Sequence, residues 1–184
     1  MDKAGFWKLI EEARADTGLS LDIAPFLVGR LAEMDVGDII RWARIYDVYQ
    51  RLSYKMKLWA AAYVINGGCS DDGFEYFRGW LIAQGREVFL NALANPDSLA
   101  EVDVRMDEAE YEPMLYVGGE AYFIKMNIGR PDYDAFQEAA KDHALDESEL
   151  QYIIADIHFA EDIDAEWAED GLESVVPKLC EKFS

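Results

Sequence analysis

The sequence is poor in the residues that define several common protein classes, above all cysteine and histidine. Its two cysteines, Cys69 and Cys180, lie 111 positions apart. Disulfide-rich scaffolds and cysteine-based zinc modules need several sulfurs at short spacing, so we expect two reduced thiols. The two histidines, His143 and His158, are 15 apart, and no His-x-x-x-His spacing occurs. We therefore expect no metal and no cofactor.

Long apolar runs and common catalytic signatures are also missing. The longest apolar stretch covers residues 58–65, far short of the ~20 residues of a membrane-spanning helix. The first residues show no basic region followed by an apolar run, so we expect no signal peptide and a cytoplasmic location. No glycine-rich phosphate loop and no Gly-x-Ser-x-Gly pattern occurs. These absences favour a non-enzymatic role without excluding an enzyme.

Negative charge dominates what is present. The chain has 37 Asp and Glu against 17 Lys and Arg, a net charge of −20. Residues 1–96 carry 13 acidic and 11 basic side chains, whereas residues 97–184 carry 24 and 6. Such a surface repels nucleic acid and anionic membranes, so we predict neither as a partner. It attracts a basic protein, a polyamine or a divalent cation, although the acidity is also explained if it only keeps the protein in solution. The oligomeric state stays open.

Apolar spacing predicts an all-α fold. We expect a compact bundle of about seven to nine helices around two buried central helices, at residues 54–65 and 71–84. The first of these is apolar nearly all the way round, which is typical of a helix buried on most sides. Ser70 or Asp72 is the predicted N-cap of the second, and Asp72 and Glu75 have the spacing of a capping box. Ser20 or Asp22 is the predicted N-cap of an earlier helix.

The region after residue 97 has a weaker pattern. Residues 114–126 fit either a hairpin around Gly118-Gly119 or a helix, and we favour the helix because isolated hairpins pack poorly in a helical context. Short helices are expected near residues 133–140, 149–159 and 177–183. The loop at residues 127–131 is the best candidate boundary. We predict a helical core domain at 1–127 and an acidic helical C-terminal extension at 128–184, packed on the same domain.

The helix predicted at residues 71–84 carries the clearest candidate site. Its two apolar sides indicate deep burial, yet Asp71, Glu75 and Arg78 fall together on the remaining face. Buried charges must be paired or neutralised, so this trio either forms an internal ion network or lines a cleft. The candidate binding residues are Trp59, Asp71, Asp72, Glu75, Arg78 and Trp80.

A second acidic pattern imitates a calcium-binding loop. Asp162, Asp164 and Glu166 alternate as the first ligands of such a loop do, and Glu173 occupies the twelfth position. Trp167 stands at the sixth position, where the sharp turn requires glycine. An acidic, solvated segment explains the pattern better than a metal site.

Several blocks of the sequence are similar to a known family. Residues 58–82, which contain the run NGGCSDDGFEYFRGWL, resemble a bacterial family of unknown function, DUF4240, as do residues 6–11, 84–89 and 95–100. The closing Pro177-Lys178-Leu179 is similar to the Pro-Arg-Leu ending of that family. The resemblance implies a free-standing or fused bacterial helical domain. It brings no assigned activity, so no functional residues are carried over.

Two functional hypotheses follow. The first is an interaction or regulatory module whose acidic C-terminal half binds a basic protein partner. Its candidate apolar contacts are Tyr152, Phe159 and Trp167. The alternative is a small-molecule-binding protein or hydrolase with a cleft around Asp72, Glu75 and Arg78. We favour the first because the charge asymmetry is a direct property of the sequence, whereas no catalytic constellation is evident.

Overall fold

A computed structural model describes residues 1–18 and 22–184, and the regular secondary structure in this part of the chain is all helical. Helices account for 69% of it, and no strand occurs among the described residues, which confirms the all-α prediction. The helices of the described residues are α1 (Lys3–Thr17), α2 (Ala24–Ala32), α3 (Val36–Leu52), α4 (Met56–Asn66), α5 (Asp71–Ala83), α6 (Arg86–Ala94), α7 (Val117–Lys125), α8 (Tyr133–Ala140), α9 (Glu147–Ile154), α10 (Leu172–Val175) and α11 (Pro177–Lys182). Short 3-10 helices occur at Pro96–Glu101, Glu112–Leu115, Lys141–His143 and Glu169–Gly171.

The number of helices is higher than the predicted seven to nine because the last part of the chain is divided into short pieces. A single residue, Val176, separates α10 from α11, and Pro177 opens α11. Proline at a first helical position starts a helix readily but cannot extend the one before it.

The helices belong to two compact units, each built from two segments of the chain. Unit 1 contains Met1–Tyr49 and Pro113–Ala155, and unit 2 contains Gln50–Glu112 and Asp156–Ser184. Residues 127–131, the predicted boundary, connect α7 and α8 inside unit 1. The division into a core domain at 1–127 and an extension at 128–184 stays a prediction.

Unit 1 is held by an aromatic cluster between α1 and α3. The Phe6 ring lies 5.2 Å from Trp42 and 5.4 Å from Tyr49, measured between ring centroids. Trp7 Nε1 donates a hydrogen bond of 2.9 Å to the Tyr49 hydroxyl, so both polar atoms are satisfied inside the core. Burial of these large rings stabilises the unit by the hydrophobic effect.

Helix α7 confirms the helical interpretation of the Gly118-Gly119 region and explains both glycines. A Cβ atom added at Gly118 would lie 2.7 Å from the Cβ of Ala43, so α7 approaches α3 more closely than any larger residue permits. A Cβ atom at Gly119 would lie 3.1 Å from Cε1 of Tyr133. Glycine lowers the intrinsic helix propensity of this segment, and close packing on both sides offsets that loss.

Unit 2 contains the two helices that were predicted to be central. In α4 the small residues Ala60, Ala61 and Ala62 are all fully buried, as the all-round apolar pattern indicated. Helix α5 begins after Ser70, whose hydroxyl accepts a 3.1 Å hydrogen bond from the Gly73 amide. Ser70 is therefore the N-cap, and the predicted capping box of Asp72 and Glu75 is wrong because both residues lie inside the helix.

The N-cap prediction for α2 also needs correction. Ser20 lies outside the described residues, and the residue at the N-cap position is Ile23 rather than Asp22. Ile23 makes no side-chain capping bond, and Pro25 occupies the first turn, where its missing amide hydrogen costs little.

The last segment of unit 2 is tied to α4 and to the segment after α6 by specific hydrogen bonds. Asp97, which is buried, accepts bonds of 3.1 and 3.0 Å from the amides of Lys178 and Leu179, and so supplies a side-chain cap to α11. Trp167 Nε1 donates to the Met56 carbonyl at 2.8 Å. Among the described residues, no helix combines the length and apolar character that a membrane crossing requires.

Candidate functional site

The six predicted site residues lie in or beside α5, but their burial differs sharply. Asp71, Asp72 and Glu75 are exposed, and Trp59 is half-buried. Arg78 is only 8% exposed, and Trp80 is completely buried. The structure therefore brings the carboxylates to the surface of the first turns of α5, while Arg78 extends into the interior of unit 2.

Arg78 is held by backbone carbonyl groups and aromatic rings. Its Nη1 donates to the Gln50 carbonyl at 2.8 Å, and its Nε donates to the Phe74 carbonyl at 3.2 Å. The guanidinium carbon lies 5.0 Å from the ring centroids of both Tyr54 and Phe74, which is the distance of a cation–π contact. These contacts give Arg78 a structural role in joining α5 to the end of α3.

The two tryptophans of the candidate site have different surroundings. The Trp59 ring stacks on Phe74 at 4.8 Å, and its Nε1 donates to the Cys69 carbonyl at 3.0 Å, which ties α4 to the turn before α5. Trp80 packs against Phe77 at 5.5 Å, and its buried Nε1 has no hydrogen-bond partner among the described residues. Trp80 is therefore part of the core and does not flank an exposed site.

A carboxylate that the sequence did not indicate, Glu110, lies over the first turn of α5. A Cβ atom on Gly73 would come within 2.8 Å of Glu110 Oε1. The flanking residues fix this position: Asn66 exchanges two hydrogen bonds with the backbone of Ala109, and the Tyr111 amide donates to the Tyr76 carbonyl at 3.0 Å. The local sign of this approach in the sequence is Gly73, because a glycine in the first turn of a helix lets a neighbouring group come close to the backbone.

The electrostatics of this region suppress thiol reactivity. Burial, together with the nearby Glu110 carboxylate, raises the pKa of the Cys69 thiol to about 12, although Arg78 acts in the opposite direction. Burial and the charge of Asp107 raise the pKa of Glu110 itself. The thiol is protonated at neutral pH, and a protonated thiol is a weak nucleophile and a weak metal ligand. The arrangement offers surface carboxylates and no activated nucleophile at Cys69.

No group of three or more His, Cys, Asp or Glu side chains within residues 1–18 and 22–184 is arranged to hold a metal ion. In the segment that imitates a calcium loop, Asp164 forms an ion pair of 2.7 Å with Lys55. Glu169 accepts a hydrogen bond from the Tyr63 hydroxyl, and this bond raises the pKa of that tyrosine. Asp164 and Glu169 therefore attach this segment to Lys55, the residue before α4, and to Tyr63 within α4.

Residues 156–173, which include the calcium-like run, form an acidic surface on unit 2. Residues 156–173 contain eight acidic side chains and no lysine or arginine. Asp156 pairs with Arg86, and Asp164 pairs with Lys55. The exposed carboxylates beyond these pairs and Glu169 are Glu161, Asp162, Glu166, Asp170 and Glu173. We call these five residues the acidic surface.

A family model described as a protein of unknown function, DUF4240, matches residues 1–123. The chain belongs to the DUF4240 family. No curated protein and no solved structure matches the chain.

The DUF4240 match includes α5 and ends inside α7. All six predicted site residues and Glu110 fall within residues 1–123, whereas the acidic surface falls outside them. Neither unit is complete within the matched range, because unit 1 continues to Ala155 and unit 2 to Ser184. The family assignment therefore covers the region of α5 but not the acidic surface.

A hollow of about 440 Å³ lies in unit 1, after α7, in a region that the sequence did not single out. Its lining residues are Ile128, Arg130, Pro131, Asp132, Tyr133 and Asp134. Tyr133 is an exposed aromatic ring at the start of α8, and its neighbours on both sides in the sequence are aspartates. An aromatic residue flanked by two acids was the only local signal for this position.

Proposed function

We propose that this DUF4240 protein is an interaction or regulatory module that binds a basic protein partner. The observation that carries the proposal is the acidic surface, five exposed carboxylates in a segment without lysine or arginine. Such a surface accelerates encounter with a positively charged partner and disfavours negatively charged ones. The segment is anchored by Trp167 and the Lys55–Asp164 pair, so its charges are presented on a folded support.

The aromatic residues that the sequence suggested as apolar contacts have separate roles. Trp167 donates a hydrogen bond to Met56 and packs at 5.4 Å against Tyr63, which makes it an anchor of its own segment. Lys3 lies over the Tyr152 ring, and Lys55 lies over the Phe159 ring. The apolar centre of a partner site is therefore better sought elsewhere.

The test compares proteins captured from a bacterial lysate by the immobilised full chain and by a neutralised variant. The variant carries Glu161→Gln, Asp162→Asn, Glu166→Gln and Asp170→Asn. Asp164 and Glu169 are kept because they hold the fold through Lys55 and Tyr63. A matched control removes the same number of exposed charges elsewhere, with Asp16→Asn, Glu87→Gln, Asp103→Asn and Glu181→Gln.

We expect basic proteins to be retained by the wild type and by the control at ~0.1 M salt, and to be lost at ~1 M, where the Debye length falls from about 10 to about 3 Å. The neutralised variant should retain fewer of them at low salt. If all three forms retain the same proteins at both salt concentrations, the acidic surface only keeps the protein in solution, and the proposal is wrong.

We also propose that the protein acts in the bacterial cytoplasm and binds neither nucleic acid nor membranes. Cys69 and Cys180 are both free, which suits a reducing compartment. The net charge of −20 opposes binding to polyanions. Localisation of a fluorescent fusion in the source bacterium tests the cytoplasmic location, and the membrane fraction of the same cells serves as the control.

The alternative hypothesis, a small-molecule-binding protein or hydrolase at Asp72, Glu75 and Arg78, stays a prediction. The partners of Arg78 described above favour a structural role for this side chain, because its Nε and Nη1 donate to the carbonyls of Phe74 and Gln50. If replacement of Arg78 abolishes the binding of a ligand but leaves the free energy of unfolding unchanged, the alternative is favoured.

A further inference from the structure

Three of the exposed aromatic rings in the described part of the chain are covered by a cation from the same chain. Tyr54, Tyr152 and Phe159 are 49%, 53% and 42% exposed. Arg78 lies 5.0 Å from the Tyr54 centroid, Lys3 lies 4.4 Å from Tyr152, and Lys55 lies 4.9 Å from Phe159. Each contact is within the ~6 Å range over which the negative face of a ring attracts a cation.

Tyr133 differs from these three rings. It is 45% exposed, yet no lysine or arginine of the described chain lies over its ring. One part of the ring packs on the backbone of Gly119, and Phe123 meets it edge-on at 5.2 Å. These contacts fix the ring on α7 and leave the remainder open to solvent.

Acidic residues adjoin Tyr133 in the sequence and on α7. Asp132 and Asp134 flank it in the sequence, and Asp132 is held in place as the N-cap of α8 by a 3.0 Å bond from the Ala135 amide. Glu120 is exposed and directly follows Gly119, the residue on which the ring packs. Partial burial and the negative charge of Glu120 raise the pKa of the Tyr133 hydroxyl. Arg130 is the one basic residue that lines the same hollow.

We propose that Tyr133 and Glu120 form the subsite that receives an arginine or lysine side chain of the basic partner. The ring supplies a cation–π contact, and the carboxylate supplies the counter-charge. Ile124, which is 60% exposed and lies one helical turn after Glu120, offers an adjoining apolar contact. The inference rests on the proposed function, because a basic partner is what would bring an arginine or lysine side chain to this ring.

The test uses a fluorescent hexa-arginine peptide as the probe, with the full chain, and a peptide of the same length in which citrulline replaces arginine as the neutral control. Tyr133→Leu should weaken hexa-arginine binding by about two- to fivefold, the equivalent of an exposed cation–π contact. Glu120→Gln should weaken it as well. Tyr133→Phe keeps the ring and should bind as the wild type does, which separates the ring from the hydroxyl.

Tyr152→Leu is the matched control, since it removes a ring of similar exposure that Lys3 already covers. In NMR spectra the amide resonance of Gly119, against which Tyr133 packs, should shift on addition of hexa-arginine and stay unchanged with the citrulline peptide. A shift in the wild type that persists in Tyr133→Phe and disappears in Tyr133→Leu supports the subsite.

The outcomes separate this inference from the proposed function. If hexa-arginine binds the wild type and the four-residue neutralised variant binds it less, while Tyr133→Leu equals the wild type, the subsite is wrong and the proposed function stands. Arg130→Gln removes a like charge beside the ring, so it should leave hexa-arginine binding unchanged or strengthen it, and a loss of binding would mean that the subsite is wrong. Absence of any salt-dependent binding by the wild type overturns both.

Discussion

The Arg78 guanidinium shows how a charge is accommodated inside a helical unit. Arg78→Met removes the hydrogen bonds to the Gln50 and Phe74 carbonyls and the contacts with the Tyr54 and Phe74 rings from a side chain that is 8% exposed. Since hydrogen bonds from charged groups contribute about 1.5–3 kcal/mol, we expect the free energy of unfolding to fall by about 2–3 kcal/mol. Urea unfolding measures this change. Arg105→Met, at a side chain 83% exposed, is the control and should change stability by less than ~0.5 kcal/mol. Equal midpoints for both variants would contradict the structural role.

The Cys69 thiol provides a second test at single-residue scale. Its pKa is raised from 9.0 to about 12, so the folded state holds the proton more tightly than the unfolded state does. This favours the folded state fully below pH 9, and the benefit is lost as the pH rises from 9 towards 12. In a Cys180→Ser background, iodoacetamide at pH 8 should therefore alkylate the folded protein far more slowly than the urea-unfolded chain. Glu110→Gln should accelerate the reaction of the folded form, because it removes a charge that opposes the thiolate. Equal rates in the folded and unfolded forms would contradict the burial of Cys69.

Sequence patterns predicted burial at this scale better than they predicted partners. The two apolar sides of α5 indicated deep burial, which holds for Arg78, whereas Asp71 and Glu75 on the same predicted face are exposed. The pattern suggested Asp71 and Glu75 as partners because they are close on the same helix. The observed acceptor at Gln50 is 28 residues earlier, on α3, and local periodicity carries no information about such a contact. Glu110 was missed for the same reason, since its position depends on the distant pairing of Asn66 with Ala109.

Helix α7 supplies a prediction about whole elements, because its packing depends on a glycine. Gly118→Ala would place a methyl group 2.7 Å from the Cβ of Ala43, and we expect this overpacking to cost about 1–3 kcal/mol in spite of the better helix propensity of alanine. Adding Ala43→Gly should recover part of the loss. Gly29→Ala is the control in α2, where an added Cβ meets nothing within 4 Å, and it should stabilise by about 0.5–1 kcal/mol. Thermal unfolding of the three variants decides the matter, and a Gly118→Ala form as stable as Gly29→Ala would show that α7 can move away from α3.

The types of the elements were easier to predict from the sequence than their boundaries. The apolar pattern of α4 predicts a helix by itself, and in α7 the helical context decided between the helix and the hairpin. By contrast, Ser70 and Asp72 both fit an N-cap, and only the observed bond to the Gly73 amide selects Ser70. The short pieces α10 and α11 lack the length over which periodicity can be recognised.

At the scale of the whole molecule, a net charge of −20 should make stability depend on salt. Like charges repel more strongly in a folded chain than in an expanded one, and added salt screens this repulsion. Raising NaCl from ~0.05 to ~0.5 M should therefore raise Tm, by about 2–4 °C if the gain is on the order of 1 kcal/mol. The neutralised acidic-surface variant should show a smaller rise. A Tm that falls with salt would mean that ion pairs such as Lys55–Asp164 outweigh the repulsion.

The two-segment construction of each unit has a consequence for the time course of synthesis. Unit 1 needs residues 113–155, so after Tyr49 has been made, a further 106 residues must follow before Ala155 completes it. At about 5–20 residues per second this delay is roughly 5–20 s. The Phe6, Trp7, Trp42 and Tyr49 cluster lies wholly within the first segment and can assemble during that interval. The ring cluster between α1 and α3 is thus a nucleus available to the nascent chain, whereas α7 reaches Ala43 only after most of unit 2 has left the ribosome.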